Sequence, residues 1–181
     1  MSALDEIVLW PDPRLKKECE PITAIDDSIR DLAERMLEAM YDAEGVGLAA
    51  PQIGETVQLC VVDCDWDNET GEDKNPFVLI NPKVIVADGE PRSGNEGCLS
   101  FPGISCEIER PSHVIVHAYN LDGDLMQYEA ADNLLAVCLQ HEIDHLHGKT
   151  MLDHLSLAMR AQALREYEIA LADGARPGEV G

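Results

Sequence analysis

The sequence predicts an α+β fold in which short antiparallel strands pack around a buried central helix, with one helix before it and one after. Three observations predict it. The stretch Leu134 to Gly148 is apolar at helical spacing, with Leu134, Cys138, His141 and His145 on one face. The stretch His113 to Tyr119 alternates instead, Val114, Val116 and Ala118 against His113, Ile115 and His117, which is the period of a half-buried strand. Flanking segments, Asp26 to Ala43 and Leu155 to Ala172, carry stripes of their own: Ile29, Leu32, Met36 and Met40 in the first, Leu157, Ala161, Leu164 and Leu171 in the second.

Taken in order, Asp12 to Lys17 forms a short helical turn after the Pro11-Asp12-Pro13 breaker. Asp26 caps the first long helix and Gly45 ends it. Gly45 to Gly54 reads as a glycine-rich turn. Strands are expected at Gln58 to Val62, Phe77 to Ile80, Val84 to Ala87, Gly97 to Ser100, Ser105 to Glu109, His113 to Tyr119 and Leu125 to Glu129, with Asp122-Gly123 turning into the last. The acidic stretch Asp63 to Lys74 starts like a calcium loop, but Asn68 stands where that loop needs glycine and Lys74 where it needs a bidentate glutamate. It reads as a solvated hairpin loop. Asp132 or Asn133 caps the central helix, and Gly148 stands where a left-handed turn would end it. Residues 173–181 are small and polar and are expected to fray. There is no repeat or linker, so residues 1–181 are read as a single domain.

Thirteen basic against thirty-five acidic side chains give a formal charge of −22, which argues against binding to nucleic acid or an anionic membrane. The N-terminus carries no apolar signal segment, and no apolar run approaches the ~20 residues of a membrane span. The six cysteines (Cys19, Cys60, Cys64, Cys98, Cys106, Cys138) are irregularly spaced with no C-x-x-C pair. A cytoplasmic location is expected.

The chemistry centres on His141, Glu142 and His145, an H-E-x-x-H motif. On a helix, residues four apart share a face, so the two imidazoles can hold one metal ion, and the intervening glutamate can act as general base. A catalytic ion takes three protein ligands and keeps a place for water. The third ligand has three sources. Downstream, Met151 stands where the metzincin pattern needs histidine, and a thioether is a poor ligand for such a cation. Glu166 or Glu168 of the last helix would make a zinc endopeptidase. Upstream, Cys98 in Glu96-Gly97-Cys98-Leu99-Ser100 offers a thiolate. A closed site with four protein ligands would instead be a structural metal module. His113, His117, His147 and His154 lie off the His141/His145 face and are read as surface or satisfied residues.

Three segments in this order, Gly45 to Gln52 (G-x-G-L-A-A-x-Q), Glu96 to Ser100 (E-G-C-L-S) and Gln140 to Gly148 (Q-H-E-x-D-H-L-x-G), closely resemble the motifs of the peptide deformylases, without an internal mismatch. The resemblance covers most of the chain, including Asp12 to Leu15. It implies a metal-dependent hydrolase that removes the formyl group from the initiator methionine of nascent chains. Cys98, His141 and His145 would bind the metal. Glu142 would be the general base, and the Gln52 amide and the Leu99 N–H would receive the oxyanion. The N-formyl-methionyl peptide would lie as an added strand against the backbone of Val46, Gly47 and Gly97, and Val46, Leu134, Val137 and Cys138 would line the methionine pocket. The cofactor implied is one divalent metal ion, iron(II) in the cell, with zinc, nickel or cobalt also suited to the ligands. Some bacterial relatives dock on the ribosome through a basic C-terminal helix. Here that helix mixes Arg160 and Arg165 with Glu166, Glu168 and Asp173, so at most weak ribosome contact is expected.

Overall fold

The computed structural model describes residues 2–181. Ten elements carry the fold: α1 (Asp27–Asp42), β1 (Gly47–Ala49), β2 (Leu59–Val62), β3 (Phe77–Asp88), β4 (Arg92–Gly97), β5 (Ser105–Arg110), β6 (His113–Tyr119), β7 (Leu125–Ala131), α2 (Leu134–Leu146) and α3 (Leu157–Ala172). All strand pairs are antiparallel. One sheet has five strands in the order β1-β2-β3-β6-β7, and β4 and β5 form a separate hairpin. The α+β expectation is met, with three long helices in the expected places.

The central helix is buried because the sheet supplies an apolar face for it. Val114, Val116 and Ala118 of β6 point towards Ala136, Leu139, Ile143 and Leu146 of α2 in one core cluster, as their alternation predicts. β2 is buried on both faces. Cys60 and Val62 join the α2 cluster, while Leu59 and Val61 pack with Leu32, Met36 and Met40 of α1. Strands covered on both sides lose the polar alternation, which is why Leu-Cys-Val-Val reads as a continuous apolar run. A third cluster joins the β4–β5 hairpin to α3 through Phe101, Ile108, Met151 and Tyr167.

Several boundaries differ from expectation. Gly47–Ala49, read as turn, is a strand paired with Cys60–Val62. The strand expected at Gly97 to Ser100 instead ends at Gly97. Cys98 begins a turn closed by the Phe101 N–H donating to the Cys98 carbonyl at 2.9 Å. Phe77 to Ile80 and Val84 to Ala87 belong to one strand. Its register shifts where Asn81 adopts a left-handed backbone (φ +49°), and the Asn81 side chain pairs with both the N–H and the C=O of Ile22 at 2.8 Å. On α3 the buried residues are Ala163 and Tyr167, with Leu164 packing partly beside them, whereas Leu157 is 88% exposed, so only the middle of the expected leucine stripe belongs to the packed face. The loop after β2 is not simply solvated. The buried Asp63 carboxylate accepts from the N–H groups of Asp65, Trp66 and Asn75 and from the Tyr41 hydroxyl. Residues 173–181, expected to fray, pack back on the body, with the Gly103 N–H donating to the Glu179 carbonyl at 2.8 Å.

Asn81 satisfies two main-chain groups at once, so Asn81→Ala is expected to cost about 1–3 kcal/mol of stability, read as a lower urea midpoint. An unchanged midpoint would show that water replaces the amide.

Candidate metal and hydrolase site

Four segments build the site. Helix α2 presents His141, Glu142 and His145 on its buried face. Asn133 starts it by accepting the Ala136 N–H at 3.0 Å, which settles the two capping alternatives. Gly148 turns the chain away at φ +71°, where a side chain would strike the Lys16 carbonyl. The turn after β4 brings Cys98, β1 brings Gly47, and the short helical turn after β1 brings Gln52.

The sulfur of Cys98 and one nitrogen from each of His141 and His145 lie within 4.8 Å of one another, with Cys98 Sγ 3.4 Å from His145 Nε2. Among the described residues this is the one cluster of three such groups able to share an ion. Glu166 and Glu168 are exposed and lie outside this cluster, so the endopeptidase alternative does not bring its glutamate to the two histidines, and Met151 is buried in the third core cluster. His147 pairs with Glu18, His154 with Asp144, His113 with Asp88 and Glu129, and His117 with Gln127, all away from the cluster as expected.

Two observations test whether this trio suits a cation. His145 Nδ1 and Glu142 Oε2 are buried polar atoms without a hydrogen-bond partner, a costly arrangement unless something else satisfies the site. The donor set, one thiol and two imidazoles, is one that zinc and iron(II) accept. The trio fits such an ion.

Protonation follows from the surroundings. Burial, then the charges of His141 and Arg110, lower the His145 pKa well below its ordinary value, so this imidazole is neutral and keeps a lone pair. Burial also opposes charge on His141, but hydrogen bonds to Cys98 and Glu96 prevail and raise its pKa. Glu96 Oε1 lies 3.0 Å from His141 Nδ1, which orients the ring with its other nitrogen towards the cluster. Glu96 is in turn gripped by Arg110 through two bonds of 2.6 and 2.9 Å, both side chains being buried. Burial would raise the Glu96 carboxyl, but the bonds from His141 and Arg110 outweigh it and hold it at about 2. Arg110 also reaches Asp144 on α2 at 3.0 Å, tying the hairpin to the helix.

Glu142 has no such grip. Burial pushes its pKa up to about 7, although the charges of His141 and Arg110 oppose the shift. It faces Gly47, where a built Cβ would lie 2.7 Å from both Glu142 Oε1 and Cys138 Sγ. Gln52 Oε1 accepts the Ala49 N–H at 2.9 Å, which aims Nε2 at Ser100 Oγ (3.1 Å) and Cys98 Sγ (3.5 Å). A cavity of about 230 Å³ opens over the cluster, lined by Val46, Gly47, Gly97, Cys98, Leu99, Leu134, Val137, Cys138, His141 and Glu142. Every other residue expected at the site lines this cavity, whereas Gln52 and His145 lie behind it. The sequence reading missed Arg110, the orienting part of Glu96, and the rim formed by Glu44, Asn95 and Gly178–Val180. Glu96 stands in a quoted motif; the others carry no sequence signal.

A family model described as polypeptide deformylase matches residues 4–161. The chain belongs to the polypeptide deformylase family. A peptide deformylase from Hydrogenovibrio crunogenus is 43% identical over 175 residues, covering 97% of this chain and 99% of that one. One from Rhodopseudomonas palustris is 44% identical over 172 residues, 95% and 97% of the two chains. Among solved structures, a peptide deformylase from Legionella pneumophila is 38% identical with a TM-score of 0.84 over 94% of this chain and 98% of that one. One from Synechococcus elongatus, in complex with actinonin, is 37% identical with a TM-score of 0.83, covering 94% and 91%. The reaction of this deformylase-family chain is metal-dependent hydrolytic removal of the N-formyl group from nascent peptides.

Two substitutions test the geometry. Glu96→Ala frees His141 to rotate and leaves Arg110 with Asp144 alone, so divalent-metal affinity is expected to fall about 10–100-fold, measured by competition with a chelator. Gly47→Ala places a methyl group on Glu142 and Cys138, so hydrolysis is expected to fall steeply and the thermal midpoint to drop by a few degrees. Retained turnover would mean that β1 can retreat from the helix.

Proposed function

We propose that Cys98, His141 and His145 hold one divalent ion and that Glu142 is the base of the deformylation reaction. The observation that carries this reading is the convergence of one sulfur and two nitrogens beside an unpartnered buried carboxylate. Such an ion supplies Lewis acidity to the formyl carbonyl and makes a nearby water more acidic. Glu142, raised by burial towards neutrality, is basic enough to take a proton from the attacking water and acidic enough to give it to the departing amine. The Gln52 amide, aimed by its bond to Ala49, and the Leu99 N–H, which donates to no backbone carbonyl among the described residues, are the proposed donors to the oxyanion.

Backbone of Val46, Gly47 and Gly97 flanks the cavity, where an extended peptide can pair without regard to its side chains. Val46, Leu134, Val137 and Cys138 offer the methionine side chain an apolar lining. Leu134, half exposed, is available for such contact. The Cys138 thiol is raised by its hydrogen bond with Cys64 and by burial, and it bonds the Val46 carbonyl at 3.6 Å, which suits a pocket wall rather than a ligand.

Iron(II) is the proposed ion in the cell, since the ligand types admit it alongside zinc, nickel and cobalt and the family resemblance favours it. We read residues 1–181 as one domain, a reading supported by Trp10 stacking on Phe101 while accepting a bond from Tyr167 of α3. No helix is long and apolar enough to cross a membrane. A thiolate ligand suits a reducing compartment, which supports the cytoplasm as the place of action. The −22 charge supports at most weak contact with ribosomal RNA.

Formate release from formyl-Met-Ala-Ser tests the reading. Glu142→Gln is expected to keep its metal and lose at least about 100-fold in turnover. Undiminished hydrolysis by that variant would remove Glu142 from the reaction.

A further inference from the structure

The last residues of the chain border the same cavity as the metal-binding trio. Gly178, at φ +98°, lies so close to the Ala43 carbonyl that a Cβ there would collide with it. The Gly103 N–H donates to the Glu179 carbonyl, and the Ser105 hydroxyl donates to the Gly181 carbonyl at 3.3 Å. A local turn stiffens the segment: the Glu179 N–H donates to the Arg176 carbonyl, and Glu179 Oε2 accepts the Arg176 N–H, both at 3.0 Å. The tail therefore spans from the end of α1 to the turn after β4, the two walls between which a peptide would enter. Its Val180 leans over Gly97, where a built Cβ would be 2.8 Å from Val180 Cγ1, yet the valine remains 67% exposed. Val180 lines the reaction cavity itself together with Gly178 and Glu179, so a peptide occupying the cavity and extending past its rim would meet this side chain.

We propose that Gly178–Val180 form part of the peptide-binding groove and that Val180 is a specificity-determining residue contacting the substrate residues that follow the formyl-methionine. This rests on the deformylase reading and adds a wall to its groove. Among the described residues the tail makes no main-chain hydrogen bond to Val46, Gly47 or β4, so it leaves the pairing positions open and lies beside the peptide rather than in its place. Glycine at 97 lets Val180 approach the strand and share the surface the peptide will cover.

The test uses the metal-loaded full chain, a chain ending at Pro177, and Val180→Lys. With KM measured for formyl-Met-Ala-Ser and for N-formylmethionine, the shortened chain is expected to lose about threefold to tenfold of the preference for the tripeptide, because the smaller substrate does not extend to the rim. A preference that is unchanged or increased overturns the proposal, an increase being the mark of a blocking tail. The charge swap needs no truncation. Val180→Lys should shift kcat/KM severalfold towards formyl-Met-Asp-Ser over formyl-Met-Lys-Ser relative to the natural chain, and an unshifted ratio overturns the proposal. Absence of formate release by the full chain on either substrate would instead count against the deformylase reading.

Discussion

The site depends on one buried ionic contact, the grip of Arg110 on Glu96. It braces β5 against β4 within the hairpin that leads to Cys98, and each of its two partners reaches on to the α2 helix that carries both histidines. Arg110 completes the connection at Asp144, and Glu96 completes it at His141. Burying such charges is costly and adds little stability over an apolar pair of the same shape. What it supplies is register: the sulfur, helix and ring are fixed relative to one another before any ion arrives. The same carboxylate sets the ring's tautomer, so one residue governs both the spacing of the site and the chemistry of a ligand.

Close backbone approach does the rest. Gly47 lets β1 lie against Glu142 and Cys138, which adds to the burial that raises the carboxyl pKa. β1 has this position because β2 behind it is held between α1 and α2. The packing of the N-terminal half thus sets the polarity around a carboxylate of the C-terminal half. Trp66 adds to this by donating to the Gly45 carbonyl at 3.0 Å, and its loop is organised by the buried Asp63.

The sequence disclosed most where one residue's chemistry constrains its neighbours. His141, Glu142 and His145 are legible because a helix must place them together, and the β6 alternation is legible because one of its faces meets the core. Cys98 became legible only through the company of two other motifs. Arg110 was not, because its partner lies fourteen positions away across a hairpin, and an arginine on a strand usually faces solvent. The α3 face was misread because size misleads: the leucines at its ends point outward, while Ala163 and Tyr167 meet Phe101 and its neighbours. The tail was misread for a related reason. Its anchors are main-chain groups of Gly103 and Ala43, and a small polar sequence gives no sign of whether such groups wait for it.

The β4–β5 hairpin leaves β4 paired on one side only. Unsatisfied main-chain groups on a strand edge attract any extended chain, including the same edge of another copy. Such an edge is tolerable at high concentration if copies repel one another before their strands can align. A formal charge of −22 on 181 residues provides that repulsion, which falls as salt rises. The acidity of the chain therefore has a colloidal consequence: it keeps an open edge available to short peptides while setting whole molecules apart.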